Sequence, residues 1–168
     1  MNYRNAVEFY AKTNSGEIFD NLGPNHAANV LENFFKYSTS EIYMYSGFLD
    51  KKVADDKDLI RELINYLKNK NKVFLLIEKY PEVDEVSNFY KILEKEALTN
   101  NNIIIKLASE EFKSELKKVF KSGKALHFIV TNNFAFRIET DPEKFKAKCS
   151  FNHREYASIL LNVIKKYF

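Results

Sequence analysis

The chain has one cysteine, Cys149, and only four glycines and three prolines among 168 residues. One thiol cannot close an internal disulfide, and a thiolate metal site needs several. The expected setting is therefore the cytoplasm, with Cys149 a small buried hydrophobe in the strand-like "FKAKCSF". A catalytic thiolate needs a cationic or basic helper, and the sequence names none. So few glycines leave little room for a nucleotide cradle, and GxxxxGK[ST], GxGxxG and GxSxG are all missing. The three histidines show no HxxxH or HxH spacing, so no metal and no cofactor are expected. Long apolar runs are missing too. "VFLLI" and "IIIKLA" fall far short of a membrane span, and "MNYRNAVEFYAK" lacks the apolar core of a signal peptide. Nor is there a strong charge of one sign. A net charge of +3 is an ordinary surface, not by itself a nucleic-acid footprint.

What is present reads as one globular domain over 1–168. Hydrophobic residues make up 45% and charged residues 29%, enough to build a core, and there is no repeat or low-complexity linker. Residues 1–24 read as an N-terminal helix and loop. The helix covers 3–12, with Val7, Phe9 and Tyr10 as contacts, and "TNSGEIFDNLGPN" is a loop broken by Gly16, Gly23 and Pro24. "NHAANVLENFFKYS" is a helix capped by Asn25, with Ala27, Val30, Leu31, Phe34 and Phe35 on one face. "EIYMYSG" alternates as a strand and ends at Gly47. "KDLIRELINYLKNK" puts Leu59, Ile60, Leu63, Ile64 and Leu67 on one helical face. "KVFLLIE" and "NIIIKLA" are apolar enough for strands buried on both sides. Between them Pro81 stops the chain and a helix starts near Val86. "SEEFKSELKKVFKSG" is a helix with Ser109 as cap, Gly123 as stop and a stripe of Phe112, Leu116, Val119 and Phe120. Strands alternating with helices make this an α/β chain, with a mixed, largely parallel sheet flanked by helices.

The pattern changes after Gly123. "ALHFIVT" and "FAFRIE" flank Asn132 and Asn133, which suit a two-residue type I′ hairpin. That register pairs Thr131 with Phe134 and His127 with Ile138. It puts His127 on a face with Ala125, Ile129 and Thr131, and Arg137 and Glu139 on the other with Leu126, Phe128, Val130 and Ala135. "FKAKCSF" is a further strand. "NHREYASILLNVIKKYF" is a closing helix capped by Asn152, with Glu155 completing a capping box.

From about Gly23 onward this order of elements resembles one phospholipase D-like domain. The likeness is clearest in "HFIVTNNFAFRIE" and in the strand and helix that follow. Active members of that superfamily carry HxKxxxxD on the hairpin, then a Gly-Ser and an Asn, and two such motifs meet. One histidine attacks phosphorus, a second protonates the leaving oxygen, and lysines and asparagines neutralise the phosphoryl oxygens. Aligned on the apolar run, Ala125 stands at the His position, His127 at the Lys position and Asn132 at the Asp position, with no Gly-Ser after it. Moving His127 to the His position puts Ile129 and Phe134 at the other two, which is worse. The resemblance implies the fold and a twofold homodimer through the former active-site edge. It argues against the superfamily's usual reaction, because alanine cannot attack phosphorus.

The remaining polar residues are candidates with ordinary alternatives. His127 is either a half-buried histidine with one satisfied nitrogen or a remnant ligand or phosphate contact. Arg137 and Glu139 form a structural ion pair, a dimer contact or an anion site built on Arg137. His26, and His153 with Arg154, sit at helix starts that favour anions, although polar first turns are common without one. Asp50, Asp55, Asp56 and Asp58 lack the glycine and terminal Glu of a calcium loop. Lys117, Lys118 and Lys121 are offset by Glu110, Glu111 and Glu115. Three functions follow. The first is a non-catalytic module, as a homodimer, binding a partner protein, a nucleic acid or a phosphorylated or other small anionic ligand. The second is an unorthodox phosphodiesterase or nuclease using His127, Asn132, Arg137, Glu139 and His153. The third is an assembly protein with no ligand at all.

Overall fold

The computed structural model describes residues 2–47, 49–121 and 123–168. The helices are α1 (Tyr3–Lys12), α2 (Pro24–Tyr37), α3 (Lys51–Ala54), α4 (Lys57–Lys68), α5 (Asn88–Ala97), α6 (Glu110–Phe120) and α7 (Arg154–Ile164). The strands are β1 (Phe19–Leu22), β2 (Glu41–Ser46), β3 (Lys72–Ile77), β4 (Ile103–Leu107), β5 (Phe128–Thr131), β6 (Phe136–Asp141) and β7 (Lys146–Ser150). Among the described residues these seven strands form one sheet in the order β1-β7-β6-β5-β2-β3-β4. Parallel pairing is confined to β2-β3-β4 and the other pairings are antiparallel, so the sheet is mixed as expected but not largely parallel: after Gly123 hairpin and meander connections replace helical crossovers. The element order implied by the resemblance, from helix-strand alternation through hairpin and strand to a terminal helix, is the order found. Among the described residues no helix is long and apolar enough to cross a membrane.

Both faces of the central strands are apolar, so the sheet is covered twice. Ile42 and Met44 of β2 and Val73, Leu75 and Ile77 of β3 join one core with α1, α2, α4 and α5. Tyr43, Tyr45 and Leu76 face a second core with α6 and α7. Alternation along each strand produces this division, and each fully buried large side chain contributes about 1.5–3 kcal/mol. The apolar helix faces seat as their spacing predicts, with corrections. Ile64 is exposed, and Tyr66 is buried in its stead, donating to the Lys72 carbonyl. Phe9 is exposed while Val7 is fully buried. Strand β4 is an edge strand and not buried on both sides, with Leu107 exposed.

Other departures have local causes. Gly23, not Asn25, precedes the first turn of α2, because Pro24 lacks the N–H that a first helical position leaves unpaired; Gly23 takes φ +136. α5 starts at Asn88, where the Ser87 hydroxyl accepts from the Tyr90 N–H. His153, not Asn152, caps α7, its Nδ1 accepting from the Tyr156 N–H at 3.5 Å. Part of the expected loop is strand β1, paired antiparallel with β7.

The hairpin departs furthest from its expected geometry. The loop has three residues, not two. Thr131 pairs with Ala135 through its N–H and the Ala135 carbonyl (3.0 Å), and the Glu139 N–H donates to the His127 carbonyl (2.8 Å). Phe134 closes the loop at φ +67, a left-handed conformation rare for an aromatic residue. Its ring lies 4.7 Å under the Arg154 guanidinium, and its carbonyl accepts from the His153 N–H. The buried Thr131 hydroxyl accepts from the Ala135 N–H (3.1 Å) and donates to Asn133 Oδ1 (2.6 Å). Moving the register by one residue exchanges faces, so Arg137 and Glu139 lie on the same face as His127. Thr131→Val is expected to cost about 1–3 kcal/mol, because the Ala135 N–H stays buried without its partner. Urea unfolding measures this, and an unchanged midpoint and slope would mean the hydroxyl does not hold the loop.

Candidate functional site

His127 lies just before β5, at the end of the sheet where the parallel strands β2 and β3 finish. In open α/β sheets the crevice beyond the carboxyl ends of the strands is where ligands bind. Alternation and the shifted register bring four ionisable side chains together there. His127 Nδ1 is 3.1 Å from Glu139 Oε2, and Nε2 is 3.3 Å from Oε1 of Glu78, which follows β3. The Tyr45 hydroxyl donates to Glu78 Oε1 at 2.7 Å, and its ring meets the His127 ring edge-on. Arg137 donates from Nη2 to Glu139 Oε1 (3.1 Å) and from Nε to Asn21 Oδ1 (2.7 Å). Asn21, on β1, is fully buried and donates onward to the Phe145 and Gly23 carbonyls. One hydrogen-bonded chain thus runs from β3 through β5 and β6 to β1.

The electrostatics follow from this geometry. Burial favours neutral His127, but the hydrogen bonds and charges of Glu139 and Glu78 outweigh it and raise the imidazole to about 9. The hydrogen bond from His127 leads in lowering the Glu78 carboxyl to about 2 against its partial burial, with Tyr45 adding a second. Glu139 is also lowered: burial opposes ionisation, and His127 and Arg137 overcome it. Two cations and two carboxylates balance. Cys149, opposite Arg137 on β7, is pushed up to about 12 by burial and is no nucleophile.

A cavity of about 180 Å³ lies against this cluster. Its walls include Leu31, Met44, Val53, Leu59 and Phe89, and its polar lining includes Ser46, Asp50, His127, Arg137 and Glu139. Leu49 (φ +63) and Phe145 (φ +53), both in the wall, hold left-handed conformations that bulky residues rarely adopt. Gly47 admits the histidine closely, since a Cβ there would stand 3.3 Å from His127 Cε1. Gly47→Ala is therefore expected to press on the His127 ring and lower stability by about 1 kcal/mol, on the scale of mild overpacking. Urea unfolding reads the loss. A variant as stable as wild type, with unshifted His127 ring resonances, would show that the ring has room.

The structure brings His127, Arg137 and Glu139 together and places Asn132 and His153 elsewhere. Asn132 donates to Glu41 Oε2 and accepts from Lys165 Nζ, at the opposite end of β2. His153 caps its helix and stacks on Tyr156 beside Phe136, on the other face of the sheet. His26 stacks on Tyr3, and its Nδ1 accepts from the Leu22 N–H. Of the aspartates, Asp50 and Asp56 cap α3 and α4, Asp55 accepts from the Asn88 N–H, and Asp58 pairs with Arg4 and Arg61. Among the described residues no group of three or more His, Cys, Asp or Glu is placed to hold a metal ion. Sequence reasoning missed Glu78, Tyr45 and Asn21. The signal for Glu78 was its place as the first charged residue after the buried run of β3, at a strand's carboxyl end. Asn21 offered none.

No protein-family model matches the sequence, and no curated protein matches it. Among solved structures the chain is similar to TrmBL2, described as an archaeal chromatin protein with a novel mode of DNA binding. That likeness has a TM-score of 0.54 at 11% identity, over 97% of this chain and 57% of that one. The chain is also similar to NucT from Helicobacter pylori, with a TM-score of 0.49 at 10% identity over 88% of this chain and 98% of that one. A third is phosphatidylserine synthase of Haemophilus influenzae Rd KW20, with a TM-score of 0.45 at 9% identity, over 89% of this chain and 37% of that one. This chain thus spans a little over half the length of TrmBL2, and at such identity the likeness is one of fold.

Proposed function

We propose that this is a phospholipase D-like domain that no longer performs catalysis and works as a ligand-binding module. The observation that carries the proposal is the double clamp on His127. A histidine nucleophile needs a neutral ring with one nitrogen free to face phosphorus. Here both nitrogens lie within hydrogen-bonding distance of carboxylates, and the ring keeps its proton up to about 9. Protonated, it has no lone pair to give. The two carboxylates also cancel the attraction that His127 and Arg137 would offer a phosphodiester. The motif position of the nucleophile itself is Ala125. In the same proposal the domain pairs with a second copy through the strand-end surface around this site. Light scattering across a dilution series tests that pairing, and a monomer at every concentration removes it.

The expected result for activity is no turnover. Bis-p-nitrophenyl phosphate and single- and double-stranded DNA and RNA, each with and without divalent metal ions, should survive unchanged. Turnover that disappears in His127→Ala, with folding intact, would replace this proposal with a phosphodiesterase using His127.

A further inference from the structure

Resting on the binding-module reading, we propose that the cavity beside His127 takes a small uncharged ligand: an apolar body of about one ring that carries a carbonyl or hydroxyl oxygen. Its size sets the first limit. An apolar cavity of about 150 Å³ holds benzene, and this one measures about 180 Å³, so a ring with a short substituent fits. Its walls set the second. Leu31, Met44, Val53, Leu59 and Phe89 are all buried, and they offer apolar contact and no hydrogen bonds to whatever sits between them.

The polar end of the cavity selects for charge and for hydrogen bonding. The Glu78–His127–Glu139–Arg137 cluster is already neutral and internally paired. An anion drawn to Arg137 meets Glu139 beside it. A cation drawn to Glu139 meets Arg137 and His127, and the other carboxylate in the lining, Asp50, is engaged by the Lys52 N–H at the start of α3. In either case the newcomer surrenders its hydration for forces that nearly cancel, which a buried site does not repay. An uncharged ligand gives up far less. Two groups lining the cavity remain to receive it. Among the described residues none accepts from Arg137 Nη1 and none hydrogen-bonds the Ser46 hydroxyl, and neither atom is sealed from solvent, so a ligand oxygen would take the place of water there. A ligand oxygen accepting from Arg137, with Ser46 as second partner, completes the set without adding charge. The left-handed Leu49 and Phe145 are consistent with a wall held in shape for an occupant.

The test uses four probes of one shape and different charge: benzamide, benzyl alcohol, benzoate and benzylammonium. Each is titrated into the whole chain at pH 7 while the methyl resonances of Met44, Val53 and Leu59 are followed. Benzamide and benzyl alcohol should give saturable shifts, binding at least tenfold more tightly than either ion. Val53→Phe, which fills the cavity, should abolish those shifts, with Leu31→Phe as the second filling variant should the first not fold. Benzoate or benzylammonium binding most tightly overturns the proposal, and so does the failure of every probe to move the methyls. Phosphodiester hydrolysis is followed on the same sample. Turnover there defeats the parent reading, whereas no turnover together with no neutral binding defeats this inference alone.

Discussion

Arg137→Ala is expected to remove about 3–5 kcal/mol of stability, the scale for breaking one partner out of a buried ion pair. Arg137 is 6% exposed, Asn21 is fully buried, and Glu139 is half-buried beside them. Without its guanidinium, Asn21 Oδ1 loses its donor inside the β1 edge of the sheet, and Glu139 keeps only His127. The loss reports a carboxylate left uncompensated, not the net worth of the pair in the intact protein. Arg137→Lys should recover little. One ammonium cannot reach Asn21 and Glu139 in the two directions that Nε and Nη2 serve. Urea unfolding at neutral pH measures both variants. A loss below about 1 kcal/mol for Arg137→Ala, typical of surface pairs, would mean that the cluster is wetter than its geometry indicates.

The second large effect is an alkaline loss of stability centred on His127. Its folded value, about 9, lies above the ordinary 6.5, so folding takes up protons. The stabilisation is fully present below pH 6.5, declines as pH rises, and is gone once pH has passed about 9. The rise corresponds to at most roughly 3 kcal/mol. The carboxylates have the opposite sign. Glu78 falls from 4.5 to about 2, so its contribution is present above pH 4.5 and lost as pH falls through about 2. Unfolding free energy should therefore form a plateau between these limbs. His127→Gln keeps a side chain that can hydrogen-bond but cannot titrate, and it should flatten the alkaline limb between pH 6 and 9.5. An alkaline limb that persists in the variant would assign the effect to another group.

Catalysis and binding place different demands on the same side chains. Catalysis would need His127 unclamped, whereas binding needs it fixed. Tyr45, Glu78, Glu139 and Gly47 all act to fix it. This is the difference between a ring poised to react and a ring used as a wall.

Much of the architecture was legible because it rests on periodicity. The spacing of Leu59 and Leu63, or of Val30 and Phe34, marks a helix face whatever it packs against. The apolar run of β3 suits an inner strand, and it is one, whereas the similar run of β4 lies at the sheet edge. β1 was not legible, because its one fully inward residue is Asn21, a polar side chain that serves Arg137. The hairpin was found but misregistered. Asn132 and Asn133 suit a two-residue turn, whereas the residue that takes the left-handed position is Phe134, held by Arg154 and by the α7 start far along the chain. That one-residue difference separated His127 from Arg137 and Glu139 on paper, and it joins them in the fold. His127, Arg137 and Glu139 were each visible as candidates, but their meeting was not. Glu78 reaches His127 only through the registers of β2 with β3 and of β2 with β5, which no local pattern encodes.

The protonation state of His127 is the point on which the account turns, and ring-nitrogen NMR measures it directly. The titration runs from pH 5 to 10, with the three histidines labelled with ¹⁵N and His127 assigned by its absence in His127→Gln. Both His127 nitrogens should carry protons at pH 7 and the ring should titrate near 9, with coupling to Glu78 and Glu139 lost only above that. A His127 ring that is neutral at pH 7 with one bare nitrogen would contradict the account and make the residue a competent nucleophile.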